Sequence, residues 1–423
     1  MAAHILDELE WRGAVAHCTD ADALRGALDA GPVTFYCGFD PTHESLHFGN
    51  LVQLVTMRRL QLAGHDPIAV VGGATGLIGD PSGRSVERSL NEAEVVADWV
   101  ERIRNQVQRY LDFEGAHPAR IVNNLDWTAP VSALDLLRDV GKHFSVNRML
   151  DKESVKARLD GPGISFTEFS YQILQAFDYL ELHRRYGCSL QTGGSDQWGN
   201  LTAGVDLIRR VTGDTVHALA TPLITKADGT KYGKTSGGSL YLDPALTSPY
   251  AFYQFFLNTD DADIAGLLRI FSFQSRGEIE ALEAGVAAHP EARAAQQSLA
   301  AELTALVHGP EAAQQAASAS AALFGGGDLG GLDADTLATA FAELPRAEVS
   351  GPLPAMTELL VTAGLADSRT AARRTVTDGG AYLNNRRVTD AELVPAEVDL
   401  LHGRWLLLRR GKRNLAVIER TAP

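Results

Sequence analysis

Residues 33–39 (VTFYCGF) and 67–73 (PIAVVGG) are short, almost wholly apolar runs, the pattern of strands buried on both faces. Between them, Gly49 to Ala63 carries Leu51, Leu54, Val55 and Leu62 at helical spacing. Strand, helix and strand in that order need a crossover connection, so the chain is predicted to build a parallel α/β sheet. The alternation continues: helix 91–111, strand 120–123, helix 131–140, helix Phe166 to Arg185, strand 188–192, then a helix near Ser195 to Val211 with Ser195 as N-cap, and strand 217–225. In such sheets ligands bind at the carboxyl ends of the strands. The segments TFYCGFD, VVGGATG and LQTGGSD would all deliver residues there.

At about 150 residues per domain, a chain of 423 suggests roughly three domains. Residues 1–247 are read as a Rossmann-like parallel-sheet domain. Residues 248–324 are rich in alanine and glutamate with helical periodicity, and are read as an α-helical domain. GGGDLGG, Gly325 to Gly331, opens a linker expected to be flexible over 325–352. Residues 353–423 read as a small α+β module: two helical patterns, then AYLNNRRV, then the hairpin-like GRWLLLRRGKRNLAVI.

Charge narrows the partners. The net charge of −15 argues against non-specific nucleic-acid binding by the whole chain. Residues 356–423, however, hold 11 lysines and arginines against 8 carboxylates, so nucleic acid is expected to be held there. Cys18, Cys37 and Cys188 fit neither a disulfide framework nor a zinc site, which points to a reducing, cytoplasmic home. No apolar run of about 18 residues occurs and the acidic N-terminus lacks secretory-signal character, so neither a membrane span nor a leader is expected.

Two short segments carry the chemistry. In HFGN, Gly49 allows close backbone approach to a phosphate at a helix N-terminus. His47 offers a ring N–H and Asn50 an amide, although an ordinary strand-to-helix turn would look the same. In TKADGTKYGKTSGGS, Lys226, Lys231 and Lys234 stand among glycines, a composition for a loop that grips phosphates, or for a plain solvated turn. Together they suggest a clamp on ATP phosphates. Tyr171, Gln175 and Asp178 fall at i, i+4 and i+7 on one helical stripe, a face suited to a polar pocket for a small amine-bearing ligand. GGATGLIGDPSG adds Asp80 but is neither a Walker loop nor a dinucleotide fingerprint. LQTGGSDQWGN adds Gln191, Asp196 and Gln197 at a strand-to-helix junction, with Asp196 suited either to ribose hydroxyls or simply to stabilising the positive end of the helix. Cys37 reads as a buried small residue, and no metal ligand set is visible.

HFGN resembles the HIGH signature of class I aminoacyl-tRNA synthetases, and KYGKT resembles their KMSKS loop. YCGFDPTHESLHFGN, VGGATGLIGDPSGR, VGKHFSVNRML, GISFTEFSYQILQAFDYL, LQTGGSDQWGNLTAG and TKADGTKYGKTSGG are similar to the bacterial tyrosyl-tRNA synthetase family. The C-terminal unit resembles the RNA-binding module first named from ribosomal protein S-four. The resemblance implies that Tyr36 and Asp178 bind a tyrosine hydroxyl, and that Asp80, Tyr171 and Gln175 bind its α-amino group with Gln191 nearby. It implies that Gly38, Asp40, Gly49, Asn50, Asp196 and Gln197 line the adenylate region with His47 and Lys234. Thr42, His47, Arg84, Arg88, Lys231, Lys234 and Thr235 would handle the departing phosphates. Arg369, Arg373, Arg374, Arg386, Arg387, Arg409, Arg410, Lys412 and Arg413 would contact tRNA. The chain departs from the signatures at Phe48, Asn50, Gly233 and Thr235.

The resemblance also implies a two-step reaction: tyrosine and ATP, with Mg²⁺, form tyrosyl-adenylate and pyrophosphate, and the tyrosyl group is then transferred from the adenylate to the 3' end of tRNA(Tyr), releasing AMP. No protein-bound metal or organic cofactor is expected. A homodimer contacting through 125–165 is implied as well. The competing expectations are a tryptophanyl-tRNA synthetase, a catalytically inactive synthetase-like RNA-binding protein, and a small-molecule nucleotidyltransferase of the HxGH type.

Overall fold

The computed structural model describes residues 4–82, 91–159, 163–235, 238–325, 328–411 and 414–421. The chain forms two compact units, Met1–Leu246 with Asp260–Ala284, and Thr247–Thr259 with Gly285–Pro423.

The first unit is built on six strands: β1 (His17–Cys18), β2 (Thr34–Phe39), β3 (Asp66–Val71), β4 (Arg120–Asn123), β5 (Leu190–Gly194) and β6 (His217–Thr221). Their order is β1-β6-β5-β2-β3-β4, and all neighbours are parallel except the β1–β6 pair. The chain runs outward from β2 to β3 and β4, then returns to the other side of β2 for β5 and β6. The switch point therefore lies between β2 and β5, and a crevice is expected outside their carboxyl ends. Register puts Tyr36 level with Ile68 on one side and Gln191 on the other.

Four helices position the site: α1 (Phe48–Leu62), α2 (Ala93–Val107), α3 (Phe166–Tyr186) and α4 (Trp198–Val211). α1 is buried nearly all round, with Leu51, Leu54, Val55, Met57 and Leu60 in the core. Leu62, expected on its apolar face, is 62% exposed, because it falls on the last helical turn. α3 starts at Ser165, whose hydroxyl accepts from the Glu168 N–H, and ends at Gly187 in the left-handed region. Ser195 is not the N-cap of α4. It opens a 3₁₀ turn, Ser195–Gln197, that precedes the helix. The helix expected over 131–140 is a short turn, Ala133–Asp135, followed by a π-helical stretch, Leu136–Val140.

In the second unit, Pro249–Leu257, Ala294–His308 and Pro310–Gly325 form the helical part. The block 248–324 is thus divided, since residues 260–284 pack with the first unit. The stretch 325–352 is not a structureless linker. Asp333 caps a helix, Ala334–Ala342, that buries Leu337 and Phe341, and Arg346–Ser350 pairs parallel to the last strand. After β7 (Lys234–Thr235) and β8 (Gly238–Ser239), the remaining strands are β9 (Arg346–Ser350), β10 (Ala381–Leu383), β11 (Arg386–Arg387), β12 (Trp405–Arg410) and β13 (Asn414–Thr421). The last five form a sheet in the order β11-β10-β12-β13-β9. Asn384 and Asn385 both have positive φ, 46° and 65°, the pair a two-residue type I′ hairpin requires. Met356, Leu359, Val376, Leu406, Leu408 and Ile418 fill the core between this sheet and the helices Met356–Thr362 and Arg369–Thr377.

Candidate active site

The N-terminus of α1 is closed by a reciprocal cap. His47 Nδ1 accepts from the Gly49 N–H at 3.0 Å, and Asn50 Oδ1 accepts from the His47 N–H at 3.0 Å. A neutral His47 ring that accepts at Nδ1 carries its proton on Nε2 and so presents a donor there. The oxygen of the Asn50 amide is turned inward to the cap, and only its NH₂ side is left to meet a ligand. Gly49 is required for a local reason as well: a Cβ there would lie 2.9 Å from the His47 ring.

The two signature segments are tied to each other. The Phe48 N–H donates to the Leu240 carbonyl, the Leu242 N–H donates to the Leu46 carbonyl, and His47 forms a bridge with Tyr241. Leu240 in turn donates to the Gly233 carbonyl at 2.8 Å. The buried Phe48 ring packs on Tyr232 with centroids 5.5 Å apart, and a Cβ on Gly233, where φ is +83°, would come within 2.8 Å of it. Two of the departures from the signatures, Phe48 and Gly233, are therefore in direct contact. Lys231 is exposed on a bridge to Thr225. Lys234 and Thr235 form β7, which pairs with β8 in a tight antiparallel turn. Arg84 and Arg88 lie outside the described residues.

A set of polar side chains is buried beside β2 and β5. Asp178, 4% exposed, accepts from Asn124 Nδ2 at 2.9 Å and from the Trp127 indole N–H at 2.8 Å. Burial pushes its pKa up to about 7; the two hydrogen bonds oppose the rise and the charge of Asp40 adds to it. Burial likewise holds the Tyr36 phenol well above its ordinary value, with Asp178 adding. Tyr36 Oη, Gln175 Oε1 and Gln191 Oε1 are buried without a hydrogen-bond partner among the described residues. A buried polar atom without a partner costs about 1–3 kcal/mol. Tyr36 and Gln191 are level on the neighbouring strands β2 and β5, and Gln175 lies on α3 one turn before Asp178, so a polar occupant near them would satisfy these atoms.

The other wall is acidic. The Tyr171 hydroxyl donates to Asp40 Oδ2 at 2.6 Å, and Gln197 Nε2 donates to Asp80 Oδ2 at 2.6 Å. The Asp196 pKa is raised by burial and by Asp80, with Lys231 opposing. Gly38 has an ordinary φ, and among the described residues none lies within 4 Å of a would-be Cβ, so none of them requires a glycine there. Thr42, partly exposed, turns its backbone N–H onto the Asp40 carbonyl at 2.9 Å. Among the described residues no group of three or more His, Cys, Asp or Glu is arranged to hold a metal ion. Thr75, Asn124 and Trp127 were not singled out from the sequence. The signal that could have found Asn124 and Trp127 is NNLDW at the carboxyl end of the strand 120–123.

In the C-terminal module the arginines are engaged locally. Arg369 pairs with Glu358 at 2.6 Å, Arg373 with Glu392, and Arg374 with Asp378 at 3.6 Å. Arg409 stacks 4.1 Å from the centroid of the Tyr382 ring, and Arg410 donates to the Leu365 carbonyl at 2.8 Å. Arg386 and Arg387 are exposed on β11. Lys412 and Arg413 lie outside the described residues.

A family model described as class I tRNA synthetases (W and Y) matches residues 28–325, and one described as the tyrosine–tRNA ligase SYY-like C-terminal domain matches residues 336–418. The tyrosine–tRNA ligase of Streptomyces coelicolor is 61% identical over 99% of this chain and 99% of that protein. That of Mycobacterium leprae is 56% identical over 99% of this chain and its full length. Among solved structures, the chain is similar to a C-terminally truncated Coccidioides posadasii mitochondrial tyrosyl-tRNA synthetase, 31% identical with a TM-score of 0.67 over 75% of this chain and 92% of that one. A tryptophanyl-tRNA synthetase from Encephalitozoon cuniculi, at 13% identity and a TM-score of 0.52, shares the fold over 74% of this chain and 87% of its own.

Proposed function

Because the chain belongs to the tyrosine–tRNA ligases among the class I tRNA synthetases, we infer that the pocket below β2 and β5 is its tyrosine site and that the α1 N-terminus and the KYGKT loop together hold ATP. The enzyme joins tyrosine to tRNA with ATP as co-substrate. The residue roles rest chiefly on one observation, the three buried polar atoms of Tyr36, Gln175 and Gln191 that lack partners.

Hydrogen-bond direction assigns the contacts. Both Asp178 oxygens already accept one donor, and their remaining lone pairs suit the phenolic O–H of tyrosine. Tyr36 Oη then donates to that phenolic oxygen. The single hydrogen of Tyr171 is committed to Asp40, so its oxygen accepts from the substrate ammonium beside Asp80, with Gln175 Oε1 a further acceptor. Asp196, Gln197 and Gly38 line the nucleotide. The tyrosine carboxylate is ionised and needs no general base to attack the α-phosphate. The barrier is lowered by positioning and by donors aimed at the migrating charge: His47, Thr42, Lys231, Lys234 and Thr235, joined by Arg84 and Arg88. Mg²⁺ enters with ATP as its counterion. ATP–pyrophosphate exchange run with each amino acid in turn tests the reading. Exchange is expected with tyrosine alone, and exchange with tryptophan, or with none, would reject it.

The second step needs tRNA. Surface ion pairs such as Arg369–Glu358 contribute only about 0–1 kcal/mol, so a phosphate competes readily for these guanidiniums. Arg373→Ala with Arg374→Ala is expected to weaken tRNA binding and to flatten its salt dependence by about one unit of log–log slope or more. Filter binding at several salt concentrations checks this; an unchanged slope would remove these arginines from the interface.

The assembly is a homodimer in this reading. Leu134, Leu137, Val146, Leu159 and Phe166 are 78%, 57%, 58%, 49% and 74% exposed, an apolar set concentrated in the expected contact region. Sedimentation at micromolar concentration should show a dimer for the natural chain and a monomer for Leu134→Glu with Leu137→Glu. A dimer that survives both changes would locate the interface elsewhere. A cytoplasmic location completes the proposal, and cell fractionation is its check.

A further inference from the structure

Between Asp40 and Asp178 runs a buried link of two polar side chains, Thr75 and Asn124, to which the reaction as described gives no role. Asn124, 1% exposed, has its amide orientation determined by three bonds. Its Oδ1 accepts from the Ala74 N–H at 2.7 Å, and its Nδ2 donates both to Asp178 Oδ2 at 2.9 Å and to Thr75 Oγ1 at 3.0 Å. A flipped amide would set an NH₂ against the Ala74 N–H. Because Asn124 only donates to Thr75, the one hydroxyl hydrogen of Thr75 is left for Asp40 Oδ1, 2.6 Å away. Thr75 is 3% exposed. Gly72 makes room for this bond, since a Cβ there would collide with both Asp40 Oδ1 and Thr75 Oγ1. The continuous path is Tyr171–Asp40–Thr75–Asn124–Asp178–Trp127, and every donor in it points toward one of the two carboxylates.

We propose that Thr75 is a positioning residue that couples the two ends of the amino-acid pocket, so that the carboxylate reading the tyrosine hydroxyl and the carboxylate orienting Tyr171 at the ammonium are held as one unit. The proposal rests on the tyrosine-site reading above. Its physical basis is that Thr75 is the only member of the path that accepts from one side and donates to the other. Without its oxygen, one Nδ2 hydrogen of Asn124 loses its acceptor and Asp40 loses a donor. The amide is then no longer held in line with Asp178, although among the described residues Thr75 is linked to Asp178 only through Asn124. Networks of this kind lose more than the single bond removed.

Thr75→Val keeps the shape and removes the hydroxyl. In ATP–pyrophosphate exchange, kcat/KM for tyrosine is expected to fall about 10- to 100-fold, and that for phenylalanine, which shares only the ammonium end, to fall by less, so the tyrosine-to-phenylalanine ratio narrows by at least about fivefold. Thr75→Ser, which keeps the hydroxyl, is expected to restore the tyrosine-to-phenylalanine ratio to within about threefold of the natural enzyme. An unchanged ratio in Thr75→Val, or a Thr75→Ser enzyme as impaired as Thr75→Val, would overturn the coupling. Should Thr75→Val fail to fold, the cycle of Asp40→Asn and Asn124→Ala supplies the test. Their effects on the ratio should depart from multiplicativity by at least about fivefold; independent effects would overturn the proposal. Absence of tyrosine-dependent exchange in the natural enzyme would instead reject the tyrosine site itself.

Discussion

His47→Asn is expected to lower kcat for tyrosyl-adenylate formation by about 10²- to 10³-fold while leaving the melting temperature within about 2 °C. The reason lies in the two separate tasks of the ring. Nδ1 caps α1 by accepting from Gly49, and in the neutral ring Nε2 is the nitrogen that donates, the group proposed to reach a phosphate oxygen. Asparagine is among the best N-cap residues, so its side-chain oxygen replaces the first task. Its shorter side chain does not reach where Nε2 did, and the donor to the migrating charge is lost. His47→Ala removes both and is expected to cost about 1 kcal/mol of stability in addition. Because the tyrosine pocket is untouched, KM for tyrosine should stay within about twofold in His47→Asn. Exchange kinetics and thermal unfolding on the same samples check the split. A kcat within threefold of the natural enzyme would remove His47 from phosphate handling.

Asp178→Ala should act on selection. It removes the acceptor for the substrate hydroxyl and strands the donors of Asn124 and Trp127 in a buried site. Tyrosine kcat/KM is expected to fall by about 10²-fold or more, with phenylalanine affected far less. Tyrosyl-tRNA synthetases are themselves the reference example of a site rejecting an analogue that lacks a hydroxyl, and the direction expected here follows that example. The same residue makes a pH prediction. In the folded state its pKa is raised to about 7, against 3.8 for the unfolded reference, with burial as the main cause. The folded state therefore holds the proton more tightly, and ionising Asp178 lowers stability as pH rises from about 4 to about 7. Below that window the residue is neutral in both states, and above it the loss is complete. Urea unfolding at pH 5 and pH 7.5 should show a larger loss for the natural chain than for Asp178→Ala; equal losses would contradict burial as the cause. Tyrosine binding should move the other way, strengthening as pH rises through 7 and Asp178 becomes an acceptor only.

Much of the candidate site was singled out from the chain, for reasons that differ by residue. Tyr171, Gln175 and Asp178 were singled out because helical spacing sets them on one stripe of α3, and a polar stripe among apolar residues is visible in one dimension. Asp196 was singled out at a strand-to-helix junction and Asp40 through the family resemblance; they lie just past the carboxyl ends of β5 and β2. Asn50 was found too, but the inward turn of its oxygen to the His47 N–H was not foreseen. Gly49 was read as making room for phosphate, whereas its nearest constraint is the His47 ring. The stretch 325–352 was misjudged because GGGDLGG dominates its composition. Leu337, Phe341 and the pairing of β9 with β13 give the rest of it structure.

The sequence by itself determined the parallel sheet and most of its helices, and it singled out the two segments proposed to handle phosphate. Each is written in local terms: strand and helix periods, turn residues and short motifs, all within a few positions. Only the tertiary structure decided which polar atoms pair. Asp178 meets Asn124 and Trp127 across separations of 54 and 51 residues, Thr75 meets Asp40 across 35, and Tyr171 meets Asp40 across 131. Those meetings depend on the register of β2 between β3 and β5 and on the angle at which α3 crosses them. Both are set by packing of the whole unit, and no local pattern along the chain encodes them.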